Sequence, residues 1–162
     1  MLIIEDGSIV PGADSFVSAA DFAVYAANYG VEVPDAEPAQ EALLRRAAVQ
    51  LDGLRWAGGP VSGDQALSWP RSGVVRNGFA VKLDAIPAQV KQAQMALAAE
   101  LHAEDVAAAK VVKGAITKEA VDGAVTREYA APVVKTSVSA RPCVALLTGF
   151  LGSSSQIALI RG

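Results

Sequence analysis

The sequence predicts a mainly α fold: a small bundle of about four helices with one β-hairpin insertion and an extended C-terminal tail. Three observations carry this. Apolar residues recur every three or four positions in four separate segments, the spacing of one buried helix face. Alanine supplies much of the 52% hydrophobic content while aromatics reach only 6%, which suits closely packed helices better than a β-sandwich. One stretch, "AITKEAVDGAVTREYA", alternates with period two instead.

The elements follow in order. Residues 1–15 read as extended or loop-like, broken by Gly7, Pro11 and Gly12. A first helix is expected from Ser18, an N-cap with Asp21 placed as in a capping box, and Gly30 terminates it. Phe22, Tyr25, Ala26 and Tyr29 mark its face. A connector, "VEVPDAE", leads to a second helix with Pro38 in its first turn. Its stripe is Leu44, Ala47, Ala48, Leu51 and Leu54, with Arg45, Arg46 and Gln50 off the face. It is expected to reach Arg55 or Trp56, where Gly58, Gly59 and Pro60 stop it. Residues 57–85 are glycine-rich and irregular.

A third helix opens at Ile86 and Pro87 and runs to about Ala108. Ile86, Val90, Ala93, Leu97 and Leu101 form its buried stripe, and Lys91, Gln92, Glu100 and Glu104 are expected in solvent. The hairpin is placed at about 111–130 with Asp122-Gly123 as its turn. That register sets Ile116 opposite Tyr129, Ala120 opposite Val125, and Lys118 against Arg127, a like-charge pair. A last helix begins at Pro142, with Val144, Leu147, Phe150 and Leu151 apolar. Domain organisation is then one helical unit, 1–152, and a tail, 153–162, in which "IALI" is too apolar to stay solvated.

Composition also bounds function. A net charge of −3 argues against a surface built to grip phosphate backbones, which normally shows a basic excess. The start, "MLIIEDGSIVPG", lacks a basic region and a long apolar run, so neither a signal peptide nor a membrane span is expected and the product reads as cytosolic. The single cysteine, Cys143, excludes an internal disulfide and reads as a small buried apolar residue. His102 sits near Glu100, Glu104 and Asp105, but one imidazole does not make a closed ligand set. A Cys143–His102 dyad has no supporting motif, and neither a nucleophile elbow nor a P-loop is present. No catalytic, metal-binding or cofactor-binding residue is assigned, and an enzyme is not expected.

The most informative stretch is "QALSWPRSGV", residues 65–74, which places Trp69, Pro70 and Arg71 together in a non-helical segment. Pro70 denies Trp69 helical geometry. Trp69 is expected to fold back on the bundle near Trp56. Arg71 is expected to stack on an indole or to pair with Asp52 or Asp64. The motif then staples an irregular loop to the body. A contact between subunits and the stacking of a base are the other two uses open to Trp69 and Arg71.

The order of these features resembles a family of tailed-phage and prophage proteins. The pieces that carry the resemblance are "ADSFVSAADFAVYAANYG", "LDGLRWAGGPVSGDQALSWPRSGV", "IPAQVKQAQMALAAEL", "GAVTREYA" and "RPCVALLTGFL", spread over about 14–151. That family carries the label of DnaT-like single-stranded-DNA-binding proteins and is similar to head-completion, or head–tail adaptor, proteins. The adaptor resemblance implies a dodecameric ring of copies at the virion neck, assembled in the bacterial cytoplasm. It implies contacts with the portal protein, neighbouring copies and the next connector or tail protein, while genomic DNA passes through without specific binding. It gives the tail residues Gln156, Ile157, Ala158, Leu159, Ile160 and Arg161 a docking role on the portal or a neighbour, and the 111–130 hairpin a bracing one. The DnaT-like label implies single-stranded-DNA binding, which needs a cationic groove and exposed aromatics. The acidic charge and few aromatics favour the adaptor.

Overall fold

A computed structural model of the chain describes residues 1–114 and 136–152, with side chains described to Ala109 and again from Thr136. The fold is mainly α, as the periodicity predicts. Helix α1 spans Ala19–Tyr29, α2 Glu37–Asp52 and α3 Ala88–Gly114; two 3₁₀ helices follow at Val138–Ala140 and Pro142–Leu147. Between α2 and α3 lie four two-residue strands, β1 (Gly59–Pro60), β2 (Arg71–Ser72), β3 (Val75–Arg76) and β4 (Phe79–Ala80), paired antiparallel as β1–β2 and β3–β4.

Helix α1 begins where its chemistry dictates. The Ser18 hydroxyl accepts the Asp21 N–H, and the Asp21 carboxylate accepts the Ser18 N–H, a complete capping box. The Ser18 bonds hold the Asp21 carboxyl below its ordinary pKa. Gly30 closes the helix in left-handed geometry. Helix α2 ends at Asp52, short of the expected Arg55 or Trp56. Local bonds stop it early: the Leu51 carbonyl accepts both the Leu54 N–H at 3.0 Å and the Trp56 indole N–H at 3.0 Å. Trp56 thus caps α2 from outside.

Helix α3 is the spine, about 40 Å long at 1.5 Å per residue. Helix α2 and the second 3₁₀ helix both pack along it, and α1 touches α2 and α3. The stripe Ile86, Val90, Ala93, Leu97 and Leu101 is buried throughout. The helix continues six residues past the expected end, so positions 111–114 of the expected hairpin are helical. The rest of that hairpin, with its Asp122-Gly123 turn, lies outside the described residues, as does the 153–162 tail. The last expected helix forms as 3₁₀ and stops at Leu147. Leu151 instead bridges to Trp56.

Polar groups tie the layers together. Gln94, on the buried face of α3, accepts the Phe16 N–H at 2.9 Å. Its amide donates to the Ser15 hydroxyl at 2.8 Å and the Leu44 carbonyl at 2.9 Å. One side chain therefore joins the N-terminal segment, α2 and α3. Glu5, also fully buried, accepts the N–H groups of Gly7, Ile9 and Val10 and shapes the first loop. Glu100 and Glu104 are not the solvated groups expected: Arg141 grips Glu104 through two 2.8 Å bonds, and Glu100 accepts the Cys143 N–H at 3.0 Å. These bonds dock the 3₁₀ segment on α3.

Replacing Gln94 with Leu keeps the volume but orphans the buried Phe16 N–H. The expected loss of unfolding free energy in urea is about 1–3 kcal/mol, with α-helical circular dichroism retained. An unchanged midpoint removes Gln94 as a tie.

Candidate functional site

The 52–83 segment builds the one elaborate non-helical feature among the described residues, and it rests on Trp69. The indole is 0% exposed. Trp56, 8% exposed, meets it edge-on with ring centroids 5.6 Å apart, and Phe150 does so at 5.7 Å. Such edge-to-face pairs add about 0.5–1.5 kcal/mol each beyond area burial. The Trp69–Pro70 peptide is cis, and β2, which follows it, pairs with β1.

The polar residues of the motif bind the loop's own backbone. Gln65 accepts the Val61 and Ser62 N–H groups and donates to the Leu67 and Pro70 carbonyls. Asp52, at the end of α2, accepts the Ser68 N–H at 2.6 Å. Arg71 neither stacks on an indole nor pairs with Asp52 or Asp64. Its guanidinium forks onto three carbonyls, Ala57 at 2.7 Å, Gly58 at 2.8 Å and Ser68 at 3.0 Å. Burial pulls its pKa below the ordinary guanidinium value, and Asp52 opposes that pull. Five donors in a planar fork suit convergent carbonyls, which a lysine ammonium matches poorly. At Gly58, φ is +66° and a Cβ would collide with the Ser72 carbonyl, so only glycine lets β1 and β2 close this tightly.

The second ribbon points outward. Asn77 and Gly78 both have positive φ, 52° and 83°, the two central positions of a tight hairpin turn. The "RNGF" stretch carries this turn signal in the sequence itself. Arg76 lies over the Phe150 ring at 4.6 Å and joins the ribbon to the aromatic cluster. Beyond it the ribbon exposes large apolar groups: Phe79 at 79%, Val75 at 59% and Leu83 at 56%.

The residues weighed for chemistry lie elsewhere. Cys143 is buried, and burial pushes its thiol up to about 12, so it is not a nucleophile at neutral pH. His102 sits half-buried on α3. Among the described residues no group of three or more His, Cys, Asp or Glu side chains is placed to hold a metal ion. No helix among them is long and apolar enough to cross a membrane. The tail residues Gln156, Ile157, Ala158, Leu159, Ile160 and Arg161 lie outside the described residues.

Fold and site together define a small helical protein whose tryptophan signature is built into its own core. The model of the family described as "Putative DnaT-like ssDNA binding protein" matches residues 1–162, and the chain belongs to that family. Neither a curated protein nor a solved structure matches it.

Trp69→Ala is expected to cost about 3–5 kcal/mol of stability by chemical denaturation, as removal of a buried large aromatic does. Arg71→Lys is expected to lower the midpoint as well, because an ammonium cannot reproduce the planar fork onto the Ala57, Gly58 and Ser68 carbonyls. A loss under about 1 kcal/mol for Trp69→Ala with the fold intact moves the ring from staple to interface.

Proposed function

We propose that this chain is a non-catalytic assembly protein, a head–tail adaptor that joins copies of itself and the portal protein at the neck of a tailed phage or prophage. The observation that carries the reading is the disposition of its signature residues. Trp56 and Trp69 face inward, and Arg71 is spent on loop carbonyls. Arg45, Arg46 and Arg141 are each bonded to a carboxylate. The loop so stiffened presents Val75, Phe79 and Leu83 to the outside, a surface suited to protein contacts. An acidic body also suits a ring through which DNA must slide without sticking.

The second reading is single-stranded-DNA binding, and the family's description favours it over the adaptor. One local feature agrees with it: Phe79 stands exposed on a ribbon that also carries Arg76, with Lys82 just beyond. An aromatic beside cations is the minimal unit of base stacking and phosphate contact.

Anisotropy of a fluorescent single-stranded oligonucleotide, titrated at low and physiological salt, separates the two. The adaptor predicts no binding at physiological salt, and co-assembly with the portal that is lost on deleting 156–162. Micromolar binding with a steep salt slope, abolished by Phe79→Ala, overturns the adaptor and establishes the DnaT-like reading.

A further inference from the structure

The outward ribbon has a complement on the same molecule. Helices α1 and α3 bound an apolar groove of about 540 Å³, lined by Tyr25, Val31, Ala99, Ala103 and Val106 and edged by Glu32. The connector at its rim is acidic: positions 31–37 hold Glu32, Asp35 and Glu37 and no lysine or arginine. The ribbon is its opposite, because 75–82 hold Arg76 and Lys82 and no acid. Shape and charge therefore match, an apolar finger with cations against an apolar slot with carboxylates.

The two features sit at different ends of the molecule. Leu83 precedes the first residue of α3 by one helical turn or so, whereas Ala103 lies fifteen residues into that helix, about 22 Å along its axis. The second 3₁₀ helix gives the same separation. Cys143, at its start, is bonded to Glu100 beside the groove, and Phe150, past its end, lies against Arg76 of the ribbon. A finger held this far away by its cation–π anchor does not fill its own groove.

We infer that the β3–β4 ribbon of one copy inserts Phe79 into the α1/α3 groove of a second copy, with Lys82 facing the acidic 31–37 connector. The contact presupposes the assembly reading above and supplies its geometry. It is heterologous, since different patches meet, so repetition closes into a ring or runs on as a filament.

Disulfide trapping tests this with the full chain. Phe79→Cys and Ala103→Cys alter exposed positions, and the native Cys143, buried with its thiol pushed up to about 12, stays silent. Under mild oxidation, a mixture of the two single variants is expected to give a mixed-disulfide dimer, and the double variant a ladder of multimers. Lys82→Glu is expected to abolish the trap, and adding Glu32→Lys on the other chain to restore it. Four outcomes overturn the proposal: no mixed disulfide; a Phe79→Cys homodimer alone; closure of the double variant within one chain; or closure of Ile157→Cys onto Ala103→Cys within one chain, which makes the tail the occupant. Failure here leaves the adaptor reading standing if the oligonucleotide titration stays flat, so the two failures are distinguishable.

Discussion

The burial of Trp69 is the constraint on which the rest of the architecture depends. Its ring touches the residue that caps α2, Trp56, and Phe150, just past the second 3₁₀ helix. The chain around it is too rich in glycine to hold a shape through its own preferences, because each flexible residue fixed costs about 1–2 kcal/mol of backbone entropy. An aromatic cluster offsets that cost at one point. Arg71 and Gln65 then satisfy the carbonyls and N–H groups that burial takes from water. Neither half works alone. Without the ring the fork has no rigid frame, and without the fork the loop beside the ring leaves its backbone unpaired.

The helical layer solves a different problem. Alanine on α2 and α3, at Ala47, Ala48, Ala93 and Ala98, brings helix axes close but contributes little apolar area per residue. Specificity of register then has to come from elsewhere. Gln94 supplies it by reaching three partners that only one alignment of α2, α3 and the N-terminal segment brings together. The Arg141–Glu104 fork does the same for the 3₁₀ segment. A buried polar group is costly when unpaired, so each tie also penalises slipped arrangements.

What was legible in the sequence follows from how local the determinants are. Helix α1 was readable to the residue because its start is a four-residue reciprocal motif and its stop is a glycine. The buried stripe of α3 was readable because period alone defines it. Gln94 occupies that same stripe, four residues after Val90 and three before Leu97, so its position was visible although its polarity disguised it. The end of α2 was not legible, since the cap is an indole four residues on that folds back. Arg71 was misassigned because carboxylates are the usual partners of arginine, whereas convergent carbonyls exist only once the loop has folded. The Asn77-Gly78 turn is harder to read than the longer alternation around Asp122-Gly123, because its strands are only two residues each.

The same logic bears on why a family described by DNA binding can have an acidic member with its tryptophans inside. Stacking of bases needs aromatic faces in solvent, and here the two largest rings hold the protein together instead. Charge is not spread evenly either: residues 75–82 carry Arg76 and Lys82 without an acid, and residues 31–37 carry Glu32, Asp35 and Glu37 without a lysine or arginine. A protein that binds phosphate chains gains from one continuous basic track. A protein that meets copies of itself head to tail gains from two patches of opposite sign at opposite ends, because like copies then attract in one orientation and repel in the others. The pairing of a cationic ribbon with an acidic connector is the pattern on which the head-to-tail proposal rests. In that proposal Phe79, exposed on the ribbon, would add apolar area where charge sets the approach.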